Sequence, residues 1–113
     1  MLERFSYPGP GGEGGRVTRD GGLSYHLCAG PTLRSKVLVL EPGVHNSAHA
    51  HADEDAHYFV LHGRVTFYGD GDVPTAELGT NDGLFMPHAA VYWFANTGDE
   101  PLQMLRVSTA VAT

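Results

Sequence analysis

Three histidines in one short stretch, Gly43-Val-His45-Asn-Ser-Ala-His49-Ala-His51, carry the donor chemistry of this chain. In a strand, side chains two residues apart leave the same face, so His49 and His51 project together into one space and can grip one metal ion or one ligand. His45 has the same parity and, in a regular strand, reaches the same cavity near its mouth. Two neutral imidazoles alone hold zinc, iron or nickel weakly and need a third protein donor. A set of His45, His49 and His51 supplies one without any carboxylate. The ordinary alternative for such a pair is a polar strand face, or imidazoles that only hydrogen-bond a small organic molecule.

The remaining candidates have simpler readings. His57 has the opposite parity from Tyr58 and Val60 and is expected to face away from the cavity, toward solvent or a partner. His62 beside Gly63 reads as a solvated strand end, and His26 has no partner spacing. His88, directly after Pro87, can rim a pocket or stand exposed. Tyr58, Phe85, Trp93 and Phe94 are the aromatics placed to line a pocket or fill the core, the usual fate of aromatics on alternating strands. The run Asp53-Glu54-Asp55 reads as a solvated loop.

The elements that position these residues are strands. From Arg16 onward, short stretches rich in Val, Leu, Tyr and Phe alternate with turn signals, and nowhere does an apolar 3.6 period persist for two turns. Strands are predicted over 17–19, 23–28, 35–41, 44–51, 57–61, 64–68, 76–78, 84–86, 91–95 and 102–110. Asp20-Gly21-Gly22 makes a hairpin-type turn, and Val37-Leu-Val-Leu40, apolar on both faces, suits a strand buried between two layers. This pattern of short strands and turns is that of an all-β sandwich or jelly roll.

With 113 residues there is room for one compact domain, and residues 8–15, with five glycines and two prolines, read as a flexible arm. The expected organisation is therefore an arm over 1–15 and a single β-barrel domain over 16–113. Thirteen acids against seven scattered bases give a net charge of −6, which offers no basic stripe to a phosphate backbone and argues against a nucleic-acid partner. No apolar run approaches a bilayer span, and the N-terminus lacks a signal-peptide pattern, so no membrane partner and a cytoplasmic location are expected. A single cysteine, Cys28, excludes an internal disulfide and fits a reducing compartment, where it reads as a small buried hydrophobe.

Residues 34–108 resemble the cupin superfamily, the small double-stranded β-helix barrels. Its first motif, G-x5-H-x-H-x3-4-E-x6-G, is met by Gly43, His49, His51 and Gly63; its second, G-x5-P-x-G-x2-H-x3-N, by Pro87 and Asn96, with Asp82-Gly83 just ahead. The resemblance implies a barrel cavity for a small organic substrate or ligand. It also implies a divalent transition metal (zinc, iron, nickel, manganese or copper) on the two histidines, the glutamate and a third histidine. In this chain the glutamate position falls on Ala56 and the third histidine on Tyr92. Counting forward from His51 instead reaches Asp55, which replaces the glutamate if the strand carries a bulge. Tyr92 ligates only as a phenolate, from an ordinary pKa near 10 that the metal must lower. The expected ligand set is thus His49 and His51 completed by Asp55, His45 or Tyr92, with Tyr92, His49 and His51 as the catalytic groups. The chemistry implied is Lewis-acid and proton transfer (isomerisation, cyclisation, lyase action or decarboxylation) or dioxygenation, and the rival is a metal-free binding or sensing cupin. Cupins of this size pair through sheet edges, which implies a homodimer.

Overall fold

The computed structural model describes residues 2–111. Among these the chain forms nine strands: β1 (Arg16–Val17), β2 (Leu23–Ala29), β3 (Leu33–Leu40), β4 (Glu54–His62), β5 (Val65–Tyr68), β6 (Pro74–Leu78), β7 (Gly83–Met86), β8 (Trp93–Ala95) and β9 (Leu102–Ala110). They build a six-stranded sheet in the order β1-β2-β3-β9-β4-β7 and a three-stranded sheet in the order β6-β5-β8, with every pairing antiparallel. The two sheets face each other over one core, in which Val60, Phe67, Leu102 and Met104 are 0% exposed. Each such side chain contributes about 1.5–3 kcal/mol through removal from water. This is the all-β jelly-roll barrel that the alternation of short strands predicts. No helix among the described residues is long and apolar enough to cross a membrane.

β3 is apolar on both faces because it separates two apolar clusters. Leu38 and Leu40 point into the barrel, while Val37 and Val39 pack outside it with Tyr25. The outer cluster anchors the arm: Tyr7 meets the Tyr25 ring edge-on at 5.4 Å and donates its hydroxyl to Gln103 Oε1 at 2.8 Å. Tyr25 in turn donates to the Gly12 carbonyl at 3.2 Å. The segment that composition reads as a free arm is therefore tied to the large sheet at two points.

Predicted and observed elements differ most over 44–51, where a continuous strand ladder gives way to two isolated bridges, His45 with Ala95 and His49 with Tyr92. Four steps on one side span three on the other, so this segment carries one extra residue beside β8. Asn46 occupies the irregularity, its side-chain oxygen accepting the Phe94 N–H at 2.7 Å. The acidic run also differs from expectation, since β4 begins at Glu54 rather than after it.

The motif residues that are not chemical hold turns. Gly63 has φ 108°, and a Cβ there would lie 3.1 Å from Leu102 Cα. Asn96, 2% exposed, donates its amide to the carbonyls of Leu40 and Glu100, each at 2.8 Å, and accepts the Gly98 N–H at 2.9 Å. The two glycine positions of the second motif that this chain fills with Asn81 and Ala89 keep left-handed backbone, at φ 72° and 68°. Ala89 then donates its N–H to the His51 carbonyl at 2.7 Å, which fixes one end of the histidine segment.

Candidate functional site

His49 is held against β8 by paired backbone bonds to Tyr92, His49 N–H to Tyr92 O at 3.0 Å and Tyr92 N–H to His49 O at 2.9 Å. Its ring lies 4.5 Å from the Tyr92 ring and 5.0 Å from that of His51, so the expected trio of His49, His51 and Tyr92 does come together. The His49 tautomer follows from its partner. His49 Nδ1 lies 2.7 Å from the Ser47 carbonyl, which can only accept, so Nδ1 carries the proton. His51 Nδ1 lies 3.4 Å from Glu54 Oε1, an ion-pair distance without a hydrogen bond, so the carboxylate faces that side of the ring. In the neutral ring of His49 the Nδ1 proton leaves Nε2 as the acceptor.

Beneath them a row of polar residues crosses the inner face of the large sheet. Strand register sets His26 opposite Lys36, Lys36 opposite Arg106 and Arg106 opposite Tyr58. Arg106 donates Nη2 to Glu54 Oε1 at 2.7 Å and Nε to the Tyr58 hydroxyl at 3.1 Å. The Tyr58 and Tyr92 hydroxyls share a 2.5 Å hydrogen bond. A continuous chain of contacts thus runs from His51 through Glu54 and Arg106 to Tyr58 and Tyr92. His49, His51, Glu54, Tyr58, Lys36 and Arg106 all line one cavity of about 750 Å³, within the range of small-molecule sites. Tyr92, 2% exposed, stands behind that wall rather than in it.

The charges of the row are set by burial and by one another. Burial alone would raise the Glu54 carboxyl, but the hydrogen bond and charge of Arg106 outweigh it and hold Glu54 below the ordinary carboxylate range. Burial, followed by the charge of Arg106 and the neighbouring His49, pushes His51 below the usual imidazole value, so it is neutral at pH 7. Burial and Tyr92 raise the Tyr58 hydroxyl and keep it protonated. Burial would weaken the Arg106 charge, yet Tyr58 and Glu54 more than restore it. Lys36 is lowered, first by burial and then by Arg106.

Two expected ligands lie elsewhere. Asp55 joins the pair only through a bulge at the start of β4, but the register from Glu54 to Val60 against β9 runs without a shift, so Asp55 faces outward. There its Oδ1 accepts from both the backbone N–H and Nδ1 of His88, at 2.8 and 2.9 Å, and these bonds hold its carboxyl below the ordinary value. His45 loses its parity with His49 through the extra residue at Asn46. It lies outside the cavity wall, its ring 5.5 Å from Trp93, which itself stacks on Tyr68 at 4.0 Å. His57 is exposed and Phe85 is 64% exposed on the outer face, while Tyr58 and Phe94 fill the core. Cys28 is half-buried, its Sγ 3.2 Å from Ser35 Oγ.

Glu54, Lys36 and Arg106 are the site residues that motif counting misses. Period-two parity finds all three: Glu54 shares a face with Tyr58 and Val60, Lys36 with Leu38 and Leu40, and Arg106 with Leu102 and Met104. A charge at an apolar strand position was the available signal. A resident metal needs a third protein donor beside His49 and His51. Among the described residues no group of three or more His, Cys, Asp or Glu is arranged to hold one. Ala56 offers no donor, Glu54 is committed to Arg106, and the Tyr92 hydroxyl to Tyr58. The donor set as placed does not fit a resident metal ion.

Comparison with known proteins agrees with the architecture. The cupin-domain family profile matches residues 36–108. Oxalate decarboxylase OxdC of Bacillus subtilis (strain 168) is 26% identical over 98 residues, covering 84% of this chain and 25% of that protein. Mannose-1-phosphate guanylyltransferase of Escherichia coli (strain K12) is 29% identical over 91 residues, covering 80% of this chain and 19% of that protein. The chain therefore spans a quarter or less of the length of these relatives. Among solved structures, KdgF from Halomonas sp. superposes with a TM-score of 0.79 at 16% identity, over 96% of this chain and 94% of that one, a likeness of fold. With both motif turns, the facing antiparallel sheets and the profile match over most of its length, the chain belongs to the cupin family.

Proposed function

We propose that this cupin binds a small organic molecule in the barrel cavity and moves a proton on it, with His51 as the general base. The observation that carries this reading is the orientation of His51: neutral, with Nδ1 turned to Glu54, and Glu54 locked in turn by Arg106. A base oriented by a second group that is itself fixed is the arrangement general-base catalysis needs. His51 Nε2 takes a proton from an acidic C–H or O–H of the ligand, the bonding electrons stay on the ligand, and the proton returns to a different ligand atom. His49, its Nδ1 engaged by the Ser47 carbonyl, offers Nε2 as a second acceptor beside it. Tyr92 and Tyr58 act as positioning residues, packing the His49 ring and holding Arg106. Isomerase, cyclase and lyase chemistry of this kind requires no oxidant.

The test is solvent exchange. The protein is incubated in D2O with a panel of 2-oxo and 2-hydroxy carboxylates, and loss of C–H signal is followed by proton NMR. Wild-type protein is expected to accelerate exchange on at least one compound, and His51→Gln to lower the rate by roughly 10²-fold or more. Exchange that survives His51→Gln contradicts the assignment. A binding role without turnover, favoured by the absence of donors at Ala56, predicts ligand-induced shifts without exchange.

A further inference from the structure

We propose that Lys36 is the anchor for an oxyanion, a carboxylate or phosphate group, on the molecule this cavity binds. The inference rests on the cavity reading above and names the class of its ligand. Lys36 leaves the inner face of β3 one strand from Arg106 and lines the cavity with it. Arg106 is committed, its Nη2 on Glu54 and its Nε on Tyr58. The Lys36 ammonium has no hydrogen bond or ion pair to another described residue; the four ion pairs formed among those residues all involve other side chains.

An ammonium that is half-buried without an acid partner is a costly arrangement unless something neutralises it. The charges around it make an anion the fitting occupant. Arg34, two residues away on the same strand face, lines the same cavity, as does His26 opposite Lys36 on β2. Facing them are Glu54, already neutralised by Arg106, and the exposed Asp20, Asp53 and Arg19 of the lining. In a chain with a net charge of −6, the cavity lining holds four bases (Arg19, Arg34, Lys36, Arg106) against three acids (Asp20, Asp53, Glu54), and Arg34, Lys36 and Arg106 come from the inner face of β3 and β9. Lys36 also stands in the same row as Tyr58 and Arg106, so an anion held there brings the rest of a small ligand under the His49 and His51 pair. Three flexible donors on an ammonium suit a carboxylate and a phosphate alike.

Binding to the full chain is measured by calorimetry at pH 8 with malonate and inorganic phosphate, and with glycerol as a neutral control of similar size. Wild-type protein is expected to bind at least one of the two anions and not glycerol; which anion binds identifies the group. Lys36→Met is expected to weaken that binding about tenfold or more, Lys36→Arg to retain it, and circular dichroism to show both variants folded. Binding unchanged in Lys36→Met, or no anion binding by the wild type, overturns the proposal. The anchor is read from anion binding in Lys36→Met and the base from proton exchange in His51→Gln, so failure of the base assignment and failure of the anion anchor give different results.

Discussion

At the scale of single residues, Glu54 and Arg106 settle what the imidazoles can do. Removing one partner of a half-buried, charge-assisted pair leaves the other without compensation, so Arg106→Met is expected to lower stability by about 2–3 kcal/mol, read from urea denaturation. His51 gives a pH dependence of definite sign. Its folded value is depressed below the ordinary 6.5, so between those two values the unfolded chain binds a proton that the folded chain refuses. Stability from this group is complete above pH 6.5 and declines as pH falls through the folded value. Glu54, depressed below 4.5, adds a second loss at lower pH. The urea midpoint should therefore fall from about pH 7 to about pH 5.5, and by less in His51→Gln; equal falls in the two proteins would show that His51 is not the group responsible. With the Glu54 carboxylate beside His51 engaged by Arg106, protein purified without a histidine tag should carry sub-stoichiometric metal, unchanged in His49→Ala. One equivalent of metal that disappears in His49→Ala would overturn that expectation.

At the scale of elements, turns and register decide which residues share the cavity. Ala89 holds φ 68° where the second motif has glycine. Left-handed backbone strains an alanine by roughly 1–2 kcal/mol, and the extra freedom of an unfolded glycine offsets part of that, so Ala89→Gly should stabilise by about 0.5 kcal/mol in thermal or urea unfolding. Period-two alternation made most strands legible, β9 over its full length, because Leu102, Met104 and the residues after them keep strict alternation. The same rule put His49 and His51 on one face, while Tyr92 came from the spacing of the second motif. It failed at His45 because the extra residue at Asn46 is stabilised by a side-chain bond to Phe94, a long-range contact with no local signature. It failed at Asp55 for the converse reason: an irregularity was expected where β4 is regular. Glu54 was passed over because three acids in succession look solvated, although its parity with Tyr58 and Val60 turns it inward, where it pairs with Arg106, 52 residues away.

At the scale of the molecule, the barrel closes a mostly apolar core and opens a polar cavity between the histidine segment and the inner face of the large sheet. We propose that the protein is a homodimer. β7 is an edge strand of the large sheet, it carries Phe85 at 64% exposure, and Leu61 on neighbouring β4 is 37% exposed. Unpaired edges of this kind invite pairing. Light scattering coupled to size exclusion should give twice the chain mass of 12.1 kDa, and Phe85→Lys should shift it toward one chain; a monomeric wild type would contradict this. The row of charges in the cavity converges on the state of one imidazole. The measurement that tests this most directly is long-range proton–nitrogen NMR of the His51 ring at neutral pH, before and after addition of a chelator. The expected result is a neutral ring protonated on Nδ1, with a spectrum the chelator leaves unchanged. A ring protonated on Nε2, or one whose resonances move when metal is stripped, would contradict it.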